Sequence, residues 1–196
     1  MTLAGVEAAT PQGDRGKFWE GVLERTHDVY ARRGTGKIYH LPNDWAFCHP
    51  ATISRLNLPG EMWARTGAGR TIRRVKSGPD FVGGFGGRHV EFDAKEFMGA
   101  SIPLEKSFTL HQVEKLRQAE RSGSLAGFMI LAKRTMTAYW LLASQVLRLL
   151  DLLRFNQLPC KSLNLAWLDE HAKTLGQVSP VGIFDWAAVL VPEETL

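Results

Sequence analysis

Two acidic residues and a lysine stand at a spacing that suits phosphodiester hydrolysis. Asp80 precedes Asp93 by thirteen residues, and Lys95 lies two residues further on. In a β-strand, side chains two residues apart point to the same face, so Glu91, Asp93 and Lys95 would share one face. The residues that alternate with them are apolar and predict a buried opposite face: Val90, Phe92 and Ala94.

Carboxylates beside an ammonium can bind a divalent cation and a phosphate together. Carboxylate oxygens hold Mg²⁺ with open or water-filled positions, and the metal polarises a phosphate and acidifies a water. An ammonium such as that of Lys95 can orient the attacking water or neutralise charge in the transition state. A strand with solvent-facing charges gives the same short pattern, so the pattern needs support from its surroundings.

A hairpin is the element that must position these residues. Two apolar runs, 80–85 and 88–97, are separated by Gly86-Gly87, which is a strong turn signal. Asp80 begins the first run, so the turn would bring it beside the face that carries Asp93. The predicted result is a carboxylate cluster next to Lys95.

The rest of the chain predicts an α/β fold with a mixed central β-sheet covered by helices. Helical spacing of apolar residues predicts helices at 17–33, 109–122 and 143–155, and apolar runs predict strands at 37–41, 125–132 and 137–142. The aromatic segment 182–186 is expected to pack back on the core. We predict a flexible lead-in over 1–15 and one domain over 16–196.

The net positive charge of the chain favours binding to polyanionic partners. The chain has 196 residues, a formal net charge of +4 and a pI of about 9.2. Five cations crowd into twelve residues and form a candidate DNA-binding surface: Arg65, Arg70, Arg73, Arg74 and Lys76. A solvated, highly charged loop is the competing interpretation.

Cysteine usage and charge placement predict a cytoplasmic protein with no membrane partner. Cys48 and Cys160 are too few for a disulfide framework. The most apolar stretch, 125–153, is interrupted by Lys133 and Arg134, which favours a buried core over a membrane span.

Several motifs in order resemble the RecU family of Holliday-junction resolvases, within the PD-(D/E)xK nuclease superfamily. The resembling segments are 16–20 with Tyr30 and Pro42, 78–83 with 91–96, Phe108-Thr109-Leu110-His111-Gln112, 126–128 with 139–141, and Lys161-Ser162-Leu163. Two positions depart from the family. Asp93 stands where glutamate is usual, and Ser77-Gly78-Pro79 replaces a hydroxyl-rich run, which puts a role for that hydroxyl in doubt.

The resemblance implies a restriction-endonuclease-like core with a protruding basic stalk at about 57–76. It implies Asp80 and Asp93 as ligands of Mg²⁺, which Mn²⁺ can replace, Lys95 as a catalytic residue, and supporting roles for Glu20 and Gln112. Taken alone, Glu20 fits a solvated helix face and Gln112 an ordinary polar position. Glu91 is a second-tier candidate, because it can bind a neighbouring basic group instead.

The resemblance also implies a substrate and an assembly. A homodimer would place two identical sites on opposed strands of a four-way DNA junction and cut it by paired, symmetric nicks, in recombination and repair. Other recombination proteins are candidate partners. Two alternatives stay open: a non-catalytic junction-binding or recombination-regulating protein, and a duplex-specific restriction or repair nuclease.

Overall fold

A computed structural model describes residues 17–41, 45–48, 63–65, 71–74, 78–158, 160–178 and 184–190. The helices are α1 (Lys17–Arg33), α2 (Leu104–Ser107), α3 (Leu110–Arg121), α4 (Ala143–Arg154), α5 (Leu165–His171) and α6 (Ala187–Leu190). The strands are β1 (Gly36–His40), β2 (Trp45–Cys48), β3 (Trp63–Arg65), β4 (Thr71–Arg74), β5 (Phe81–Phe85), β6 (Arg88–Phe97), β7 (Ser101–Pro103), β8 (Leu125–Ala132), β9 (Thr137–Leu142), β10 (Ser162–Asn164) and β11 (Lys173–Gln177).

A six-stranded mixed sheet forms the centre, in the order β1-β5-β6-β8-β9-β11. Only β6 and β8 are parallel among its described pairs, and the other neighbours are antiparallel. The connection between the two parallel strands carries α2 and α3, as a parallel pair requires a crossover. The predicted α/β architecture, a mixed sheet flanked by helices, is confirmed.

The hairpin predicted around Gly86-Gly87 is formed by β5 and β6. Both glycines have positive φ, 53° and 73°, which residues with a side chain rarely adopt. The tight turn sets the register, and Phe81 stands opposite Phe92. The strands predicted over 125–132 and 137–142 are also present, and they pair antiparallel as β8 and β9, which form a second hairpin.

Each face of the sheet has its own apolar core. One face packs against α1 and the C-terminal segment, in a cluster that includes Trp19, Leu23, Phe92, Met129 and Trp186. The other packs against α3 and α4, in a cluster that includes Leu116, Phe128, Ile130, Leu141 and Val146. Phe184 and Trp186 are 5% and 0% exposed, which confirms that the C-terminal aromatic segment packs on the core.

Strands β2, β3 and β4 form a separate three-stranded sheet in the order β2-β4-β3, inserted between β1 and β5 along the chain. Arg65 lies in β3, and Arg73 and Arg74 lie in β4. Arg70, Lys76 and the lead-in over 1–15 lie outside the described residues. Within the described part of the chain, no helix is both long and apolar enough to cross a membrane.

Four short elements could not be predicted from the periodicity of the sequence. The strands β7 and β10 have three residues each and pair with one another, so neither shows an alternation. Helix α5 has seven residues and β11 has five, and β11 forms a sheet edge beside β9. Their places depend on contacts with distant segments, which a local pattern does not carry.

Candidate active site

Asp80 and Asp93 are joined by reciprocal hydrogen bonds at the open end of the β5–β6 hairpin. The backbone N–H of Asp80 donates to Oδ1 of Asp93 at 3.0 Å, and the backbone N–H of Ala94 donates to Oδ2 of Asp80 at 2.9 Å. Each carboxylate thus accepts a hydrogen bond from a backbone N–H of the chain segment that carries the other carboxylate. The arrangement fixes both side chains, and it confirms the predicted meeting of the two acids.

Lys95 lies on the same face of β6 as Asp93. Its Nζ atom is 3.6 Å from Oδ2 of Asp93 and 6.0 Å from the centroid of the Phe128 ring. The side chain of Lys95 is 17% exposed. Its stem is therefore packed while its ammonium stays beside the carboxylates.

One oxygen of the pair is suited to a divalent cation. Asp93 is fully buried, and its Oδ2 atom has no hydrogen-bond partner. Apart from the Lys95 ammonium at 3.6 Å, the described residues give this buried oxygen no charge or donor to compensate its burial, and carboxylate oxygens are the ligands that Mg²⁺ and Ca²⁺ prefer. Among the described residues, no group of three or more His, Cys, Asp or Glu side chains is arranged to hold a metal ion. A cation bound by two carboxylates, with water and phosphate completing its shell, fits these residues.

The electrostatics of the pair follow from burial. Burial raises the pKa of Asp93 to about 6, and the charge of Asp80 adds to that rise while Lys95 opposes it. Burial also raises the pKa of Asp80, with Lys95 and the Ala94 hydrogen bond opposing the rise and the charge of Glu20 adding to it. Two neighbouring acids that resist ionisation are stabilised when a cation binds between them.

We expect the metal-free protein to lose stability as the pH rises from about 4 to above 6. The folded pKa of Asp93, about 6, exceeds its ordinary value of 3.8, so the folded state holds this proton more tightly than the unfolded chain does. Its contribution to stability is therefore complete below the ordinary value and lost as the pH passes the folded value. The loss should be about 1 to 3 kcal/mol.

The test compares urea unfolding of the wild type and Asp93→Asn in a chelator, at about pH 4.5 and about pH 7.5. The wild-type free energy of unfolding should fall more than that of the variant between the two pH values. A divalent cation should restore the wild type at the higher pH and leave the variant unchanged. If the free energy of unfolding depended on pH equally in the two proteins, the raised pKa assigned to Asp93 would be wrong.

Gln112 stands across a narrow pocket from Asp93. The pocket is lined by Gly78, Pro79, Asp93, His111, Gln112, Lys115 and Leu116. The Thr109 hydroxyl donates to Oε1 of Gln112 at 2.9 Å, which orients the amide at the start of α3. The structure therefore places Gln112 and Asp93 on the lining of the same pocket.

Glu20 belongs to a second group of titratable side chains, on the α1 side of the sheet. Nδ1 of His40 is 2.6 Å from Oε1 of Glu24, and Nε2 of His40 is 3.9 Å from Oε2 of Glu20. The His40 ring also stacks on Phe81, with centroids 4.8 Å apart. Because Phe81 follows Asp80, this group sits at the same end of the sheet.

Glu91 is not brought to the carboxylate pair by any described contact. It shares the catalytic face of β6, but Nε2 of His89 lies 2.9 Å from its Oε1 atom. The alternative interpretation, in which Glu91 binds a neighbouring basic group, is the one that the geometry favours.

Two residues beside the site were not singled out from the sequence. His40 lies there because β1 pairs with β5 and places His40 opposite Phe81. Lys115 lines the Asp93 pocket because it lies one turn after His111 and Gln112 on α3. Helical spacing from Gln112 is a signal that could have found Lys115, whereas nothing local marks His40.

Comparison with known families decides the identity of this fold. A profile described as Recombination protein U matches residues 14–185 and so includes every residue of the site. The chain belongs to the RecU family.

Individual RecU relatives are similar at modest identity. The chain is 26% identical to Holliday junction resolvase RecU of Bacillus pumilus over 176 residues, 89% of this chain and 80% of that protein. It is 26% identical to the Streptococcus gordonii protein of the same name over 165 residues, 84% of this chain and 76% of the relative. For the Oenococcus oeni relative the figures are 26% over 136 residues, 69% of this chain and 64% of the relative, so less than two thirds of that protein is matched.

Membership of the RecU family implies dependence on a divalent cation, and the donor set agrees with it. The buried Oδ2 of Asp93, which accepts no hydrogen bond, and the adjacent Asp80 carboxylate are the groups available for such an ion. Asp93 has one methylene fewer than the glutamate usual in RecU proteins. Its reciprocal hydrogen bonding with the Asp80 strand holds the shorter side chain in place.

Proposed function

We propose that this chain resolves four-way DNA junctions by Mg²⁺-dependent phosphodiester hydrolysis at Asp80, Asp93 and Lys95. The observation that carries the proposal is the buried Oδ2 of Asp93, which accepts no hydrogen bond and has a second carboxylate and the Lys95 ammonium beside it. A strand with merely solvated charges would expose these groups. RecU membership supplies the substrate class, since the relatives are named Holliday junction resolvases.

The ion would be held by Asp80 and Asp93, and it would polarise the scissile phosphate and acidify a water. Mg²⁺ is proposed because it is commonly bound by one or two carboxylates plus substrate phosphate, and Mn²⁺ is expected to replace it. The two carboxylates are presented in a fixed geometry by the backbone N–H groups of Asp80 and Ala94.

Lys95 neutralises negative charge on the phosphate. Its ammonium lies 3.6 Å from Oδ2 of Asp93 and is largely shielded from water, so its charge is weakly screened. Gln112, oriented by Thr109, faces the same pocket and is proposed to hydrogen-bond a water or the phosphate. Glu20 lies close enough to raise the pKa of Asp80 and is proposed to hold a water on the α1 side.

Paired nicking needs two sites, and we propose that a homodimer supplies them. A two-fold axis would place identical sites on opposed strands of the junction. The protein would act in the cytoplasm, in recombination and repair, with other recombination proteins as partners.

The experiment that tests this function offers the purified protein a supercoiled plasmid with an extruded cruciform, a linear duplex and a flap, with and without Mg²⁺. Paired nicks within one complex convert the plasmid directly to linear DNA, whereas independent nicks first accumulate open circles. We expect linear product from the cruciform alone, and only with Mg²⁺. Cleavage of the duplex at the same rate would favour a restriction or repair nuclease. Binding of the junction without cleavage would favour a non-catalytic, recombination-regulating protein.

The segment 57–76 is proposed to enter the junction as a basic stalk. Replacing Arg70, Arg73 and Arg74 with alanine should weaken junction binding at least about tenfold and duplex binding less, because phosphates crowd at the branch point. Each lost contact should lower the slope of log affinity against log salt by about one. Titration of each DNA over a range of salt measures both quantities.

Divalent-ion affinity is the internal control for that variant, since the metal ligands lie on β6 and before β5. Equal losses on junction and duplex would mean a general phosphate-binding surface. Full retention on both would mean a solvated loop.

A further inference from the structure

Helix α3 carries a second candidate DNA contact on the flank opposite the catalytic pocket. Gln112 and Lys115 line the pocket that contains Asp93, whereas Arg117 and Arg121 line a groove between α3 and α4. Arg121 follows Gln112 by nine residues, which is about half a turn of rotation on a helix with 3.6 residues per turn. The two surfaces therefore belong to different sides of one helix.

The groove is predominantly basic. Its lining comprises Arg117, Arg121, Ser144, Leu147, Arg148, Asp151, Leu152, Phe155 and Gln157. Three guanidinium groups thus face one groove carboxylate. Among the described residues, the structure records no ion pair for Arg121, Arg148 or Asp151.

A neighbouring acid, Glu120, pairs with Arg117 and joins the two helices, so the positive charge left in the groove is that of Arg121 and Arg148. Its carboxylate accepts from the backbone N–H of Ser144 at 2.9 Å and from the Ser144 hydroxyl at 2.7 Å. It also lies 3.6 Å from Arg117. Glu120 and Arg117 therefore build the groove, and Arg121 and Arg148 remain exposed to bind a ligand.

An exposed aromatic side chain closes one end of the groove. Phe155, just after α4, is 67% exposed, the most exposed of the large apolar side chains in the described residues. Arginines beside an exposed aromatic ring are typical of surfaces that contact sugar, base and phosphate of nucleic acid. An acidic peptide fits this combination less well, because the described residues of the groove include no feature that would anchor a peptide backbone.

The dimensions of α3 match a duplex bound for cleavage. A helix with its side chains is about 10 to 12 Å across, and the major groove of DNA is about 12 Å wide. If the exposed side of α3 faces a duplex whose cleaved strand lies at Asp93, the groove between α3 and α4 would face the other strand. Arg121 lies about 13 Å along the axis from Gln112, which corresponds to about four base pairs.

We propose that the groove between α3 and α4 binds the phosphates of the uncleaved strand of the same junction arm, through Arg121 and Arg148. This rests on the proposed junction cleavage at Asp80, Asp93 and Lys95. The groove would hold the duplex in register with the catalytic pocket and would take no part in the chemistry.

The test is the double variant Arg121→Ala/Arg148→Ala, with Arg154→Ala as the matched control on α4 outside the groove. The double variant should bind a four-way junction about ten- to a hundredfold more weakly at moderate salt, and its salt slope should fall by about two. Arg154→Ala should change neither. Junction cleavage by the wild type tests the catalytic proposal separately. A wild type that cuts the junction, with a double variant that binds it as tightly as wild type, would reject the groove alone.

A scan of uncharged methylphosphonate linkages along both strands of one arm identifies the bound strand. In the wild type, neutral linkages on the uncleaved strand, within about five base pairs of the cut, should weaken binding. In the double variant those same linkages should have no further effect. A sensitive position only on the cleaved strand, or the same loss in the double variant and in wild type, would overturn the proposal.

Asp151→Asn gives a second measure that does not depend on removing arginines. It lowers the negative charge of the groove, so junction binding should tighten by about two- to fivefold if DNA lies there. Unchanged junction affinity in both Asp151→Asn and the double variant would reject DNA as the ligand of the groove. Thermal unfolding of each variant confirms that the helices remain packed.

Discussion

Asp93→Asn should abolish cleavage of a four-way junction in Mg²⁺ while leaving junction binding intact. The substitution removes the charge of a fully buried ligand that no hydrogen bond compensates at Oδ2. A bound metal supplies several kcal/mol of transition-state stabilisation, so the rate should fall by about a thousandfold or more. Asp80→Asn should behave in the same way, because Oδ2 of Asp80 faces the same hairpin end.

Binding should be retained or tightened, because each substitution removes negative charge that faces the phosphate. A gel-shift titration in Ca²⁺ or chelator, beside a single-turnover cleavage assay in Mg²⁺, measures the two effects separately. Asp28→Asn is the matched control, since Asp28 is an exposed residue of α1. Either ligand variant cutting at the wild-type rate would remove Asp80 and Asp93 from the proposed site.

Lys95→Ala should lower the cleavage rate by about a hundred- to a thousandfold while metal binding persists. Loss of one positioned cation at the phosphate costs about that much in comparable sites. Because Lys95 opposes the rise in the pKa of Asp93, its removal should raise that pKa further. The pH at which Mn²⁺ binding is half complete should therefore move upwards.

Calorimetric titration with Mn²⁺ across a pH series, paired with single-turnover cleavage, tests both consequences. Lys106→Ala, an exposed lysine on α2, serves as the control and should match the wild type in both assays. If Lys95→Ala lost Mn²⁺ binding at every pH, the lysine would act by shaping the metal site. If it cut at the wild-type rate, the assignment of Lys95 would be wrong.

The sequence by itself determined the centre of the site. Asp80, Asp93 and Lys95 belong to one hairpin, and the Gly86-Gly87 turn sets its register through local backbone geometry. Strand alternation then places Asp93 and Lys95 on one face without reference to any other segment. The same local reasoning predicted α1, α3 and α4 and the β8–β9 hairpin.

Only the tertiary structure decided which distant side chains join that centre. Gln112 and Lys115 reach the Asp93 pocket because α3 crosses over between the parallel strands β6 and β8. His40 reaches Asp80 because β1 pairs with β5, and it brings Glu20 and Glu24 into one group. Pairings between segments far apart along the chain leave no local period, so the sequence pattern could not indicate them.

The packing of the tertiary structure also determines the electrostatic properties of the site. The sequence shows that Asp93 is an acid in a strand, but a charged residue in a strand is usually solvated. Its complete burial, beside Gly78, Pro79 and residues of α3, leaves Oδ2 without a hydrogen-bond donor and raises the pKa of Asp93 to about 6. Burial depends on how the helices and the sheet close over a residue, and that closure is a property of the whole fold.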